Sequence, residues 1–154
     1  LAGVQPAFTG TFTNGPEVQE IKLRQPVRGM QFCLETLNAH DGKPFAAIAE
    51  FDVLTPDGNP IPHQNWTIAY VDSEEKIGED GSASNAIDGQ SANFWHTEWK
   101  NAQPMHPHRL VIDLGVETMV GGFRYTPRAG VENPGRIKDY RVYIGKGFTL
   151  PPAP

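Results

Sequence analysis

The chain has a single cysteine, Cys33, in 154 residues, so no internal disulfide can staple it. No apolar run approaches the roughly 20 residues needed to cross a bilayer as a helix. Nor does any window of about a dozen residues carry a clean apolar i, i+3, i+4, i+7 stripe, which leaves little place for amphipathic helices. Clusters of basic residues are missing too. The 13 Lys and Arg are scattered and outweighed by 18 Asp and Glu, giving a formal charge of −5. Nucleic-acid binders neutralise phosphates with grouped cations, so that partner class is set aside. With 38% apolar and 20% charged residues, the composition is neither disordered nor membrane-like. The length suits one domain that buries about two-thirds of its unfolded surface. The chain opens on Leu1 without a methionine or signal pattern and closes on the Pro-rich "GFTLPPAP"; we expect a piece of a longer protein with a linker at residues 148–154.

What the chain has in quantity is turn chemistry, with 16 Gly and 14 Pro. Punctuation such as "TPDGNP", "HDGKP" and "VENPGR" separates the strand-like runs "EVQEIKL", "GMQFCLETL", "AAIAEFDVL", "WTIAYV", "RLVIDLG", "MVGGFRYT" and "DYRVYIG". Leu110, Ile112 and Leu114 share one face of their run; Tyr140, Val142 and Ile144 share one face of theirs. Met30, Phe32 and Leu34 alternate likewise, which turns Cys33 to the opposite face and suits it to packing rather than chemistry. The pattern predicts an all-β fold, an antiparallel β-sandwich or jelly roll, with the segment from Asp72 to His108 as functional loops.

Three constellations stand out in or beside those loops. In "NAIDGQSAN", Asp88-Gly89 makes a tight turn, and Asn85, Asp88 and Asn93 offer oxygens close together. Calcium takes six to eight oxygen ligands, many of them backbone carbonyls; an ordinary Asp-Gly turn accounts for the same residues. Glu50, inside the apolar run "AAIAEFDVL", is either a further ligand or a residue facing solvent. In "FWHTEW", Phe94 and Trp95 cannot share a side of an extended segment, so Trp95 reads as core and Phe94 as rim. Trp99 could stack on the C–H face of a sugar ring while His96 bonds its hydroxyls. Equally, Trp99 could cover the end of the sandwich and His96 bond a carbonyl. In "FRYTPRAGVENPGRIKDY", Arg128 leaves the end of a strand after a proline and can present a planar donor fork. His106 and His108 lack an apparent third ligand and read as structural.

Taken together, "WTIAYVDSEE…NAIDG…FWHTEW…PHRLVIDLG…GGFRYTPR…GRIKDYRVYIG" resembles the coagulation factor V/VIII type C, or discoidin, domain, and within it the bacterial carbohydrate-binding modules of family 32. The resemblance covers Trp66 to Gly145. It implies a galactose-binding-domain-like jelly roll whose loops at one end bind ligand, with one structural calcium. Residues 1–55 look like the family's C-terminal strands placed ahead of its N-terminal strands and binding loops at 66–147, so we expect a single circularly permuted domain. By matched position, the resemblance implies calcium held by Asn85 and Gln90 carbonyls, Asp88, Asn93, the Ala49 carbonyl and the Glu50 carboxylate. It implies a galactose-like ligand at His96, Trp99 and Arg128, with Glu79 and Asn133 as neighbours. The function expected is a non-catalytic carbohydrate-binding module of a secreted or cell-surface glycan-active protein, partnered by the attached domains of that larger enzyme. The other reading is a protein-binding adhesion domain of the discoidin type. Lipid binding fits less well, because Glu74, Glu75, Glu79, Asp80 and Glu98 would meet anionic lipid.

Overall fold

The computed structural model describes residues 1–130 and 134–151. The alternating runs form eight strands: β1 (Phe8–Thr11), β2 (Gln19–Thr36), β3 (Ala47–Ile48), β4 (Glu50–Leu54), β5 (Thr67–Val71), β6 (Trp95–His96), β7 (His108–Thr126) and β8 (Asp139–Gly145). Short 3-10 turns at His63–Asn65 and Ala83–Ile87 are the helical elements of the described residues.

Two long strands organise the sandwich. The C-terminal part of β2, Gln31–Thr36, pairs with β8 on one edge and with His108–Asp113 of β7 on the other. Its N-terminal part pairs with Gly122–Tyr125, the far half of β7. β7 changes its outer partner in the same way, from β5 beside its first half to β4 beside its second. One layer therefore runs β1-β8-β2-β7-β5 and the other β2-β7-β4, all antiparallel. Both long strands bend where the ladder slips. In β2 the register shifts between Lys22 and Val27, around Pro26, which has no N–H to give a ladder, and again between Gly29 and Gln31. In β7 the corner is Gly115, at φ 81°, where a Cβ would lie 2.5 Å from the Asn65 carbonyl oxygen. Only glycine fits there.

The inner faces meet over Phe12, Phe32, Phe51, Trp95, Phe123, Tyr125 and Tyr140, all essentially without exposure. Phe123 is the centre of this group, with ring centroids 5.6 Å from Phe32, 5.9 Å from Phe51 and 5.8 Å from Tyr140. Cys33 faces the other side of β2, as its alternation predicts, buried with Val111 and Tyr143 in a small outer cluster that includes Phe148 and Leu150. Burial and the neighbouring Glu35 push its thiol up to about 12, far from a nucleophile's range. The start of the expected linker, Phe148–Leu150, thus lies docked on the sheet.

The structure departs from the expected strands in three places. "EVQEIKL" and "GMQFCLETL" are one strand, as are "RLVIDLG" and "MVGGFRYT", because bulges carry the chain through punctuation that reads as a stop. "AAIAEFDVL" is split into β3 and β4 at Ala49. β1 and the two-residue β6 have too little alternation to announce themselves. Among the described residues no helix is long and apolar enough to cross a membrane.

Candidate functional site

Trp95 sets the site in place. It is fully buried, its indole N–H donates to the Ser73 carbonyl at 2.9 Å, and β6 pairs Ala47 with His96 and Ile48 with Trp95. The next residue, His96, is 1% exposed and is held by its backbone: its N–H donates to Gly81 and its carbonyl accepts from Glu75. The His96 Nδ1 lies 2.6 Å from the Thr97 carbonyl oxygen. A carbonyl can only accept, so Nδ1 carries the proton and Nε2 is an acceptor. Burial pushes the His96 pKa below its ordinary value, which keeps the ring neutral.

Trp99 is half-buried, and its indole N–H donates to Glu79 Oε2 at 2.9 Å. The six-membered ring of the indole lies against Gly78, where a Cβ would stand 2.4 Å from Trp99 Cη2. Arg128 lies over the Phe94 ring, 4.0 Å from its centroid. Glu79, His96, Trp99 and Arg128 line one open depression of about 330 Å³ with Phe45, Gln103 and Pro134. That volume is at the lower end of small-molecule sites. One wall is aromatic. The rim holds an acceptor carboxylate, an acceptor imidazole nitrogen and a donor guanidinium. Phe45, Gln103 and Pro134 are additions the sequence does not single out, and only the aromatic of "GKPF" stands as a signal for them. Asn133 lies outside the described residues.

Beneath this rim sits a residue whose role the sequence hides. Glu75 is 1% exposed, and its carboxylate accepts four backbone N–H groups: Ile77 at 2.8 Å, Gly78 at 2.6 Å, Trp99 at 2.8 Å and Lys100 at 2.8 Å. These bonds outweigh desolvation and hold its pKa down to about 2.

A second group forms around the Asp88-Gly89 turn. Glu50 Oε1 accepts the Gly89 N–H at 3.0 Å, Asp88 Oδ1 accepts Gln90 N–H, and Asp88 Oδ2 accepts the Asn93 amide at 2.9 Å. The Asn85 amide donates to the carbonyls of Phe94 and Asp80. Ala49 precedes Glu50 at the break between β3 and β4. Burial, and then the Asp88 side chain facing it, push Glu50 up to about 7. Two carboxylates turned on one another suit a cation. Among the described residues no three His, Cys, Asp or Glu gather as a metal cluster, so an ion here would depend on carbonyl and amide oxygens as well. His63, not singled out by the sequence, borders this group, with Nε2 2.7 Å from Asp52 and Nδ1 3.0 Å from the Ile87 carbonyl. His106 and His108 are engaged elsewhere, His106 with Thr36 and His108 with Asp72 and the Pro44 carbonyl, as structural residues would be.

Residues 69–149 match the F5/8 type C domain family. The chain is 49% identical over 90 residues to a sialidase of Micromonospora viridifaciens, a stretch covering 58% of this chain and 14% of that protein. It is 33% identical over 95 residues to a galactose oxidase of Gibberella zeae, covering 61% of this chain and 13% of the relative. It is also 34% identical over 83 residues to an A type blood N-acetyl-alpha-D-galactosamine deacetylase of Flavonifractor plautii, covering 54% of this chain and 10% of the relative. The aligned stretch is thus about a seventh or less of each of these relatives. The matched stretch is just over half of the chain and carries most of the site described above, and the protein belongs to the F5/8 type C, or discoidin, domain family.

Proposed function

We propose that this domain is a non-catalytic carbohydrate-binding module for a terminal galactose-like sugar, and that it holds a secreted or cell-surface glycan-active protein on its substrate. The observation that carries this reading is the half-exposed Trp99 indole framed by Glu79, His96 and Arg128 in one open depression. The indole would take the apolar face of the sugar, Glu79 and His96 Nε2 would accept from hydroxyls, and Arg128 would donate to them. The relatives add support, since two of their names specify galactose or N-acetylgalactosamine. A single module of this type binds weakly, with Kd of about 0.1–1 mM, roughly −4 to −5.5 kcal/mol. Tethering turns that weak contact into a high effective concentration of enzyme at substrate.

A calcium ion would suit the group around the Asp88-Gly89 turn. Glu50 and Asp88 would supply carboxylates, Asn93 its side-chain oxygen, and Ala49, Asn85 and Gln90 their carbonyls. When bound, calcium supplies charge neutralisation and a fixed turn. Catalysis finds no footing in the carboxylates of this rim. Glu79 accepts the Trp99 indole, and Glu75 is buried under four amides, whereas glycoside hydrolysis needs two carboxyls flanking the bond. The first four strands all pair with strands later than residue 66, which supports reading the chain as one permuted sandwich.

Isothermal titration with galactose, N-acetylgalactosamine, fucose and glucose tests the proposal. Saturable binding of a galacto-configured sugar that is lost in Trp99→Ala, with the fold retained, is the expected outcome. Equal binding by Trp99→Ala would refute the site.

A further inference from the structure

We infer that Glu75 is the positioning residue of the ligand face, its buried carboxylate fixing Trp99 relative to Glu79 while its peptide N–H ties that pair to His96; the inference rests on the sugar-site reading only in its binding arm. In sequence, Glu75 sits in the acidic run "DSEEKIGED" and looks like one of several solvated charges. In the fold it is buried, and its two oxygens are divided between two loops. Oε2 accepts Ile77 and Gly78, ahead of Glu79; Oε1 accepts Trp99 and Lys100. A carboxylate has about four lone-pair positions, and here four amides use them.

The consequences reach each ligand-facing side chain. The Gly78 and Trp99 amides are clamped on the same carboxylate, which holds the Gly78 backbone against the six-membered ring of the indole. The following residue, Glu79, is thereby placed to accept the Trp99 indole N–H at 2.9 Å. The Glu75 backbone completes the arrangement. Its N–H donates to the His96 carbonyl and its carbonyl accepts Gly81, which in turn accepts the His96 N–H. One buried side chain and its own peptide groups therefore tie together the three residues that would touch a ligand.

Glutamine is the informative replacement, because it keeps the shape and breaks the chemistry. Its amide oxygen can serve one loop, while its NH₂ would face two backbone N–H groups on the other. The test pairs galactose titration with the indole region of a ¹H–¹⁵N spectrum, in which three tryptophans give three signals and Trp99→Phe identifies one. Glu75→Gln should move or double the Trp99 signal, leave those of Trp66 and Trp95 in place, and weaken galactose affinity by about tenfold or more. An unmoved Trp99 signal with wild-type affinity would overturn the inference. Should the wild-type domain bind no galactose, the sugar reading fails alone, and the Trp99 signal still decides the role of Glu75. If Glu75→Gln does not fold, Gly78→Ala pushes on the same ring with the clamp intact. It should displace the Trp99 signal, and an unchanged signal would contradict the inferred geometry.

Discussion

Trp99 and His96 give the proposed site its two chemistries, and both have consequences in solution. Losing the indole removes the apolar wall, so Trp99→Ala should take binding beyond calorimetric detection while circular dichroism stays unchanged. His96 adds a pH dependence whose sign follows from burial. Its folded pKa is lowered from 6.5, so the unfolded chain takes up the proton first as pH falls. Its contribution to stability is complete above 6.5 and is lost as pH drops through the folded value. Sugar affinity should be flat on the neutral side and fall over the same acid range, because a protonated Nε2 can no longer accept; titrations at stepped pH would read this. His96 and Trp99 were legible in the sequence because their residue types are few and crowded into "FWHTEW". Glu75 was not. Its burial is decided by amides from a loop 24 residues away, which no local pattern encodes.

At the scale of elements, the sandwich depends on β2 and β7 passing through both layers and on the aromatic group they enclose. Phe123 on β7 packs against rings from β2, β4 and β8, so no single neighbour can move to fill its place. Phe123→Ala should therefore cost about 3–5 kcal/mol, read as a lower midpoint in urea with the slope unchanged. Alternation of apolar residues made most strands readable, together with the faces of Cys33, Phe32 and Leu34. Their continuity was not readable. Pro26 and Gly115 look like ends of strands in one dimension and prove to be bends in three, because the partner strands bend with them. β6 is two residues long, and it exists because Ala47 and Ile48 lie beside it. Periodicity has no purchase on an element that short.

For the whole molecule, the acidic turn and the binding rim are two parts of one loop system. The loop from Asp72 to His108 contains little regular structure, yet its backbone is satisfied by side chains: Glu75, Glu74 to Ala83, Ser73 to Glu98, and Glu50 to Gly89. Calcium would add to this framework by linkage. At a concentration one hundred times its Kd, an ion that binds only the folded chain stabilises it by about 2.7 kcal/mol, or roughly 5–10 °C for a domain of this size. A chelator should lower Tm by that amount in the wild-type domain and leave Glu50→Gln unaffected, as followed by scanning calorimetry. The family and fold could be read from motif order, since "IDG", "FWHTEW" and "GRIKDY" fall on the turn, the rim and the approach to β8. The depression itself could not. Phe45 and Pro134 come to it from segments flanking β3 and β8, far from His96 in sequence. This depression would hold a sugar on Trp99, and the most direct measurement is calorimetric titration of galactose into the wild-type and Trp99→Ala domains side by side. One-site binding near 0.1–1 mM in the first, absent in the second, is what the geometry predicts; indistinguishable isotherms would contradict it.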